Sequence, residues 1–220
     1  MQQNAVCEDS LTLVRRNARF IGGGTCCGKS TIASLIGQRH GWSVFSADDN
    51  FEKYVEATAF DISRGQPQGK VDFEYIWMRD PVIQFDEMLR FYREIFPHVL
   101  ADVAALCEAA DGKIVIAEGI AILPELLAGI GIQKSRCAFL MMEKTVHDER
   151  YAQRDWTPLL LEGCADPKRA FELWMQRDEL FCEHVRRECD VQGFLRIESN
   201  SDTDIETVLQ AVESLWTSAE

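Results

Sequence analysis

The chain has 220 residues, of which 46% are hydrophobic and 27% charged, values typical of a globular protein with a substantial core. Its formal net charge of -13 argues against a nucleic-acid polymer as partner, because no basic stripe offsets it. No apolar run reaches the length of a membrane span, so no membrane partner is expected, and 8 cysteines without framework spacing favour free thiols in the cytoplasm.

Apolar residues Phe20 and Ile21 predict a first strand, which leads into the sequence G-G-G-T-C-C-G-K-S-T at residues 22–31. This sequence matches the phosphate-binding P-loop pattern G-x-x-x-x-G-K-[ST]. Glycines permit a positive φ, and a helix predicted over 30–39 would point its N-terminus at a bound anion. The predicted nucleotide-binding residues of the loop are Gly23, Gly24, Thr25, Cys26, Cys27, Gly28, Lys29, Ser30 and Thr31.

Two residues of the loop carry specific chemistry. Lys29 is predicted to reach the β- and γ-phosphates and to act in catalysis, and the Ser30 hydroxyl suits a magnesium ligand. The expected cofactors are therefore ATP and Mg2+. Cys26 and Cys27 lie at a helix N-terminus, which favours thiolate, although the simpler interpretation is that they fill small positions. An ordinary glycine-rich turn is the alternative to a P-loop, but such a turn does not require Lys followed by Ser.

A second strand is predicted over residues 42–45 and is followed by S-A-D-D-N-F at residues 46–51. Carboxylates at the carboxyl end of a strand beside a P-loop strand lie where ligands bind in open parallel sheets. Asp48 is the candidate base that takes the proton of an acceptor hydroxyl, and it is also a candidate magnesium ligand. Asp49 is a candidate substrate contact or magnesium-side partner. Capping of the next helix by these aspartates is compatible with either role.

The P-loop and the S-A-D-D-N-F sequence together resemble the small-molecule kinases of the P-loop superfamily, especially the uridine kinase and nicotinamide riboside kinase group. In that group an Asp after the second strand, close to an aromatic residue, is the catalytic base, which implies this role for Asp48. Here Asn50 separates the aspartates from Phe51, so the assignment between Asp48 and Asp49 stays open. For a three-layer α/β domain with five parallel strands, the resemblance implies the order 2-3-1-4-5, helices on both faces and a helical lid.

The segment 65–110 is predicted to be a helical insertion on the substrate side. Glycine and proline residues interrupt regular structure over 65–81, and long connections often carry binding loops. Within it, Arg79 is a candidate partner for a substrate anion. Trp77 either stacks on a substrate ring or anchors the loop to the core, and the anchor is favoured. Apolar residues at spacings of three and four over 85–106 predict a long helix that packs on the core.

A third strand is predicted over 113–117, where a continuous apolar run is typical of a central parallel strand. It ends at Glu118, beside the predicted magnesium site. The run I-V-I-A-E-G resembles the strand-Glu-Gly element of the same kinase group, which implies a role for Glu118 in the magnesium shell or at a substrate hydroxyl. Capping of the following turn is the alternative.

A fourth strand over 137–142 leads into the segment 143–165, the predicted lid. Arg150 and Arg154 are four residues apart, so on a helix they project from one face. This spacing is similar to the lid of nucleotide and nucleoside kinases, which implies that Arg150 stacks over the adenine and that Arg154 reaches the phosphates during catalysis. A solvated helix face with salt bridges is the alternative. His147 is predicted to be a surface residue.

A helix over 166–190, a fifth strand over 193–197 and a final helix complete residues 1–220, which we interpret as a single P-loop kinase domain. The polar loop after the fifth strand contains Asn200, which by the same resemblance flanks the adenine.

The sequence thus predicts an ATP-dependent kinase that transfers the γ-phosphoryl group to a hydroxyl of a small molecule, first of all a nucleoside or related ribosyl compound. A sugar acid, a shikimate-like polyol or an antibiotic is an alternative acceptor. A nucleotide-binding regulatory or toxin-like module without turnover is an alternative function. A switch GTPase would need an N-K-x-D guanine reader, which the sequence lacks. A monomer or a homodimer is expected.

Overall fold

The computed structural model describes residues 6–58 and 71–217. Its strands are β1 (Ala18–Gly23), β2 (Ser43–Ser46), β3 (Val115–Glu118), β4 (Cys137–Met142) and β5 (Leu195–Ser199). Its α-helices are α1 (Glu8–Asn17), α2 (Lys29–His40), α3 (Phe51–Ala57), α4 (Phe73–Trp77), α5 (Pro81–Ala109), α6 (Pro124–Gly129), α7 (Lys144–Ala152), α8 (Thr157–Leu160), α9 (Pro167–Gln192) and α10 (Ile205–Thr217). Residues 65–70 of the predicted insertion lie outside the described residues.

The strands form one parallel sheet in the order β2-β3-β1-β4-β5, which confirms the predicted order and the P-loop NTPase fold. The register aligns the carboxyl ends of the three strands nearest the loop. Glu118 at the end of β3 lies opposite Ile21 of β1 on one side and opposite Ser46 of β2 on the other. The chain segments that follow these strands therefore meet at one edge of the sheet.

Side chains of the strands alternate between the two faces of the sheet, because successive residues of a strand point in opposite directions. In β4, Phe139 belongs to the core that α1, α5 and α9 cover, whereas Leu140 belongs to the core under α2 and α10. The same alternation holds in β1 for Phe20 and Ile21. Both faces of the sheet are thus apolar, which produces three layers.

The segment predicted to be irregular contains regular structure. Five residues form α4, and Pro81 begins α5 instead of interrupting it. Proline is favoured in the first helical turn because its missing N–H has no partner there, and the Asp80 carboxylate caps this helix by accepting from Val82 N at 2.8 Å. Although α5 extends over 29 residues, no helix within residues 6–58 and 71–217 is both long and apolar enough to cross a bilayer.

The glycines at the end of β1 are required by the close approach of neighbouring chain segments. Gly23 has φ +119°, and a Cβ atom there would lie 2.0 Å from the carbonyl oxygen of Leu140 in β4. At Gly22 a Cβ would lie 2.4 Å from the Ile122 carbonyl oxygen. Backbone atoms cannot yield as a flexible side chain can, so the start of the loop depends on these glycines.

We expect Gly23→Ala to lower the free energy of unfolding by roughly 3 kcal/mol or more, because a clash adds to the cost of positive φ. The matched control is Gly41→Ala, since Gly41 also has a positive φ, of +67°, but has nothing within 4 Å of its Cβ position. This control should lose only about 1 to 2 kcal/mol. Urea denaturation of both variants measures the difference, and equal losses would contradict the steric explanation.

Candidate active site

The loop between β1 and α2 has the backbone conformation that the sequence predicts. Gly23 and Gly28 both have positive φ, and Cys26 adopts φ 55° although it is not glycine. Gly28 precedes the first residue of α2 and provides no side-chain cap. The N-terminus of α2 therefore faces the loop with free N–H groups, which is the arrangement that binds phosphate.

Lys29 lies inside the curve of this loop. Its side chain is buried, and Nζ donates to the Gly24 carbonyl oxygen at 2.8 Å. The hydrogen bond spans the loop, so the ammonium group is positioned before any ligand binds. Lys29 is also near enough to Glu118 to lower the pKa of that carboxyl group, although other effects are larger.

Glu118 is the most unusual charged residue of the site. Only 1% of it is exposed. Its Oε1 accepts from Ser30 Oγ at 3.1 Å, whereas Oε2 is buried without a hydrogen-bond partner among the described residues. Burial raises the pKa of Glu118, hydrogen bonding by the Ser46 side chain partly opposes this rise, and the negative charge of Asp48 adds to it. A buried carboxylate oxygen without a partner is costly unless a cation or a proton occupies it.

Asp48 is held next to Glu118 by the turn that follows β3. Its Oδ1 accepts from Ile120 N at 3.0 Å, and the absence of a side chain at Gly119 leaves room for it, since a Cβ there would lie 3.0 Å from Oδ1. Asp49 is exposed, and its backbone N–H donates to Ser46 Oγ at 3.4 Å. The turn thus fixes the orientation of Asp48, and no comparable contact fixes the side chain of Asp49 among the described residues.

These residues fit magnesium better than a metal held by protein ligands alone. Within the two described ranges, no cluster of three or more His, Cys, Asp or Glu side chains could hold a metal ion. Mg2+ is usually bound by one or two carboxylates together with phosphate and water oxygens. Ser30, Asp48 and Glu118 offer that donor set, and the unpartnered Oε2 of Glu118 is the observation that supports it.

His147 is buried, with 5% exposure, so its prediction as a surface residue is wrong. Its Nε2 lies 2.7 Å from Thr25 Oγ1, and its Nδ1 lies 3.0 Å from Asp148 Oδ1. The cause is tertiary, because β4 ends beside the P-loop and the first turns of α7 are thereby brought against Thr25. The sequence signal that could have identified His147 is its position as a polar residue soon after a central strand.

Asp178 of α9 completes this contact from the other side and was not identified in the sequence. It is 2% exposed, with Oδ2 accepting from Thr25 Oγ1 at 3.2 Å and Oδ1 accepting from Arg177 Nε at 2.6 Å. Arg177 and Asp178 lie within an amphipathic helical pattern in the sequence, and this pattern does not indicate that either residue makes a polar contact in the interior. We call Thr25, His147, Arg177 and Asp178 the loop network.

The two predicted lid arginines do not share a helical face. Arg150 is in the last turn of α7, where Nη1 donates to the Cys26 carbonyl oxygen at 3.4 Å. Arg154 lies beyond the end of that helix and is exposed, with its N–H donating to the Tyr151 carbonyl oxygen. The chain turns here so that Trp156 packs edge-on against Tyr151 at 5.4 Å between ring centroids.

Trp77 anchors its segment to the core, as favoured from the sequence. Its ring stacks on Trp174 with 4.2 Å between centroids, and Nε1 donates to the Leu160 carbonyl oxygen at 2.8 Å. Arg79 lies 4.5 Å from the Tyr75 ring centroid and pairs with Glu87 at 2.8 Å. Trp77 and Arg79 border a cleft of about 810 Å³ formed by residues of α4, α5 and α9, with Leu160 of α8.

Cys27 is a packing residue rather than a reactive thiolate. It is 5% exposed, its Sγ donates to the Thr25 carbonyl oxygen at 3.2 Å, and burial raises the pKa of its thiol to about 12. Burial therefore outweighs the effect of the helix N-terminus. Asn200 lies in the loop after β5, where Oδ1 accepts from Asp202 N and Thr203 Oγ1. Its role beside an adenine stays a prediction.

Glu118→Gln removes the buried charge of Glu118 but keeps the size of the side chain, so it tests whether this charge destabilises the ligand-free protein. Because the pKa of Glu118 is raised, its proton stabilises the fold below the unfolded pKa, and that stability is lost as pH rises through the folded pKa. We expect Glu118→Gln to raise the Tm of the ligand-free protein at about pH 8, and this gain to shrink toward about pH 4. Differential scanning calorimetry measures both values.

The matched control is Glu125→Gln, for which the expected change in Tm has the opposite sign. Burial alone would raise the pKa of Glu125, but hydrogen bonds from His184 and Arg93 outweigh it and lower the pKa. Its ionised form therefore stabilises the fold above the unfolded pKa, and this stability is lost as pH falls through the folded pKa. Glu125→Gln should lower Tm at about pH 8. A lower Tm for Glu118→Gln under the same conditions would contradict the interpretation of Glu118.

Comparison with solved structures finds several that align over nearly the whole chain at low sequence identity. Shikimate kinase from Acinetobacter baumannii in complex with shikimate is 17% identical, covers 96% of this chain and 98% of its own, and has a TM-score of 0.44. Dephospho-CoA kinase from Campylobacter jejuni is 16% identical over 93% of this chain and 97% of its own, with a TM-score of 0.44. TT1252 from Thermus thermophilus is 15% identical over 93% and 98%, with a TM-score of 0.48. No protein-family model and no curated protein matches the sequence.

Proposed function

We propose that this chain is an ATP-dependent kinase that transfers the γ-phosphoryl group to a hydroxyl of a small molecule. The observation that carries the proposal is the convergence of a P-loop lysine with two carboxylates at one edge of the sheet. Lys29 spans the loop, Ser30 donates to Glu118, and the turn after β3 holds Asp48 beside them. A P-loop alone would support nucleotide binding, whereas the oriented Asp48 supports transfer to an acceptor.

In this proposal the loop and its lysine bind the polyphosphate. Backbone N–H groups of the loop beyond Gly24 and the N-terminus of α2 would donate to the phosphate oxygens, and Lys29 would neutralise their charge. Ser30 and Glu118 would hold Mg2+, which would supply positive charge to the polyphosphate. Arg150, which contacts the Cys26 carbonyl oxygen, would border the nucleotide. Arg154, exposed after α7, would reach the phosphates from the lid.

Asp48 is the proposed base. Its Oδ1 is occupied by the Ile120 N–H, which fixes the plane of the carboxylate and leaves Oδ2 to accept the proton of the acceptor hydroxyl. The nearby Glu118 carboxylate, buried and short of partners, would be committed to the cation instead. Two neighbouring carboxylates with different surroundings can thus serve two roles. Asp49 would contact the substrate.

The acceptor would bind in the cleft that borders Arg79. Phe51, three residues after Asp48, forms one wall of this cleft and packs against Phe91 at 5.2 Å between ring centroids. A concave cleft of about 810 Å³ with aromatic walls suits a compound of small-molecule size. Such a cleft favours a small-molecule kinase over a module that uses the segment 65–110 to bind a protein. A nucleoside or related ribosyl compound is the first candidate.

We expect Asp48→Asn to lower kcat by about a hundredfold to ten-thousandfold, because the amide cannot accept the proton. Binding of the ATP analogue AMP-PNP with Mg2+, measured by isothermal titration calorimetry, should persist. A screen of small hydroxyl compounds for ATP consumption supplies the acceptor for the kinetic measurement.

Asp49→Asn is the comparison for Asp48→Asn. It should raise KM for the acceptor with little change in kcat, because Asp49 would contact the substrate without taking its proton. A loss of kcat in Asp49→Asn with normal turnover in Asp48→Asn would reverse the two roles. Absence of ATP turnover with every acceptor, together with tight binding of a protein partner, would contradict the kinase proposal itself.

A further inference from the structure

The cleft that borders Arg79 and Phe51 has a charge unlike that of the whole chain. The net charge of the protein is -13, yet three arginines and two glutamates line the cleft. The arginines are Arg79, Arg90 and Arg177, and the glutamates are Glu87 and Glu94. Glu87 is already paired with Arg79 at 2.8 Å. The walls between these groups are aromatic, with Tyr75, Trp77 and Tyr92 among them.

Arg177 is the arginine that the fold holds most firmly. Its side chain is 13% exposed, and its Nε donates to Asp178 Oδ1 at 2.6 Å. The centre of its guanidinium group lies 5.3 Å from the Trp77 ring centroid. Arginine has five donors in a planar fork, and one of them satisfies Asp178. The other N–H groups belong to the same Arg177 side chain, which lines the cleft.

Asp178 is shared between the cleft and the P-loop. One of its oxygens accepts from Arg177 and the other from Thr25 Oγ1 at 3.2 Å. His147 Nε2 contacts the same Thr25 hydroxyl at 2.7 Å. Asp178 is 2% exposed and hydrogen-bonds both Arg177 and Thr25, so the position of Arg177 is tied to that of the loop.

Residues of the cleft lie near the proposed base: Phe51, three residues after Asp48, lines the cleft, and so does Tyr92. Burial raises the pKa of the Tyr92 hydroxyl, while Arg177 lowers that pKa and Asp48 raises it. Tyr92 is therefore within electrostatic range of both groups. An acceptor that extends from Asp48 along Tyr92 would bring its other end to Arg177.

We propose that the acceptor carries an oxyanion, a carboxylate or a phosphate, beside a flat apolar group, and that Arg177 is the specificity-determining residue that binds this anion. Asp178 is its positioning residue. The inference rests on the proposed function and narrows it, since it favours an anionic ribosyl compound with a flat ring over a neutral nucleoside. The guanidinium fork matches the geometry of both anions, and the apolar walls strengthen the contact by excluding water.

Binding of small probes tests this assignment without knowledge of the acceptor. Benzoate and phenyl phosphate carry the two anions on a ring, and benzyl alcohol is their neutral match. Each probe is titrated by NMR into the whole protein saturated with Mg2+ and AMP-PNP. The bound AMP-PNP occupies the P-loop, so phenyl phosphate does not bind there. We expect at least one anionic probe to bind about tenfold or more tightly than benzyl alcohol, and the preferred anion distinguishes carboxylate from phosphate.

Arg177→Met should reduce this preference to about one, since charge-assisted hydrogen bonds supply it. The matched control is Arg186→Met, on the same helix, where Arg186 is 24% exposed and paired with Glu179 but does not line the cleft. It should keep the wild-type preference. If Arg177→Met fails to fold, Arg177→Lys decides, because lysine keeps the charge but loses the fork, and the preference should fall severalfold.

Equal binding of the anionic and neutral probes to the wild type would overturn the inference, as would a lack of binding by all three. A preference that survives in Arg177→Met, or in Arg177→Lys where that variant decides, would also overturn it and would leave Arg177 as a structural partner of Asp178. Failure of the proposed function is observed separately, as absence of AMP-PNP binding or of ATP turnover in the wild type. In that case the probes are titrated without nucleotide, and the same ratios decide the anion site.

Discussion

The buried carboxylate of Glu118 is the constraint on which the site depends. It ends a central strand, and the register places it opposite Ile21 and Ser46 at once. The chain segments that follow these strands therefore pass close to one buried carboxylate, which accepts a hydrogen bond from Ser30. The raised pKa of Glu118 expresses the cost of this arrangement in the ligand-free protein. Binding sites often contain groups that lower the stability of the ligand-free protein because those groups are arranged for a ligand.

The loop network extends this constraint to the far side of the P-loop. Thr25 is held between His147 of α7 and Asp178 of α9, so α7 and α9 are both fixed to the P-loop. A rearrangement of either helix would change the surroundings of Thr25. Asp178 in turn holds Arg177, and the cleft wall thus depends on the same buried carboxylate.

Aromatic packing holds the remaining wall in place. Trp174 of α9 is 2% exposed and contacts Trp77, Tyr151 and Trp156. These three residues come from α4, the end of α7 and the turn before α8. Large aromatic side chains bury much apolar area for few fixed torsions, so a small cluster can join short helices that would not be stable alone. The same cluster explains why α7 ends before Arg154.

The sequence by itself determined the elements whose signals are local. The spacing from Gly23 to Ser30 predicted the loop conformation, and continuous apolar runs predicted the central strands. It also predicted that Asp48 and Glu118 belong to one site, because parallel strands present their carboxyl ends at one edge. The anchoring of Trp77 followed from the same local reasoning. The strand order came from the family resemblance.

Only the tertiary structure decided which polar side chains become buried partners. His147 and Asp178 meet at Thr25 although they are far apart along the chain, and no periodicity distinguishes either from a solvated residue of an amphipathic helix. Arg154 lies beyond the end of α7, in the turn that brings Trp156 against Tyr151, a tertiary contact that helix propensity does not report. The burial that raises the pKa of Cys27 is likewise a property of the assembled layers. Periodicity reports which face of an element is apolar, whereas the partner that meets a polar group depends on how those faces pack.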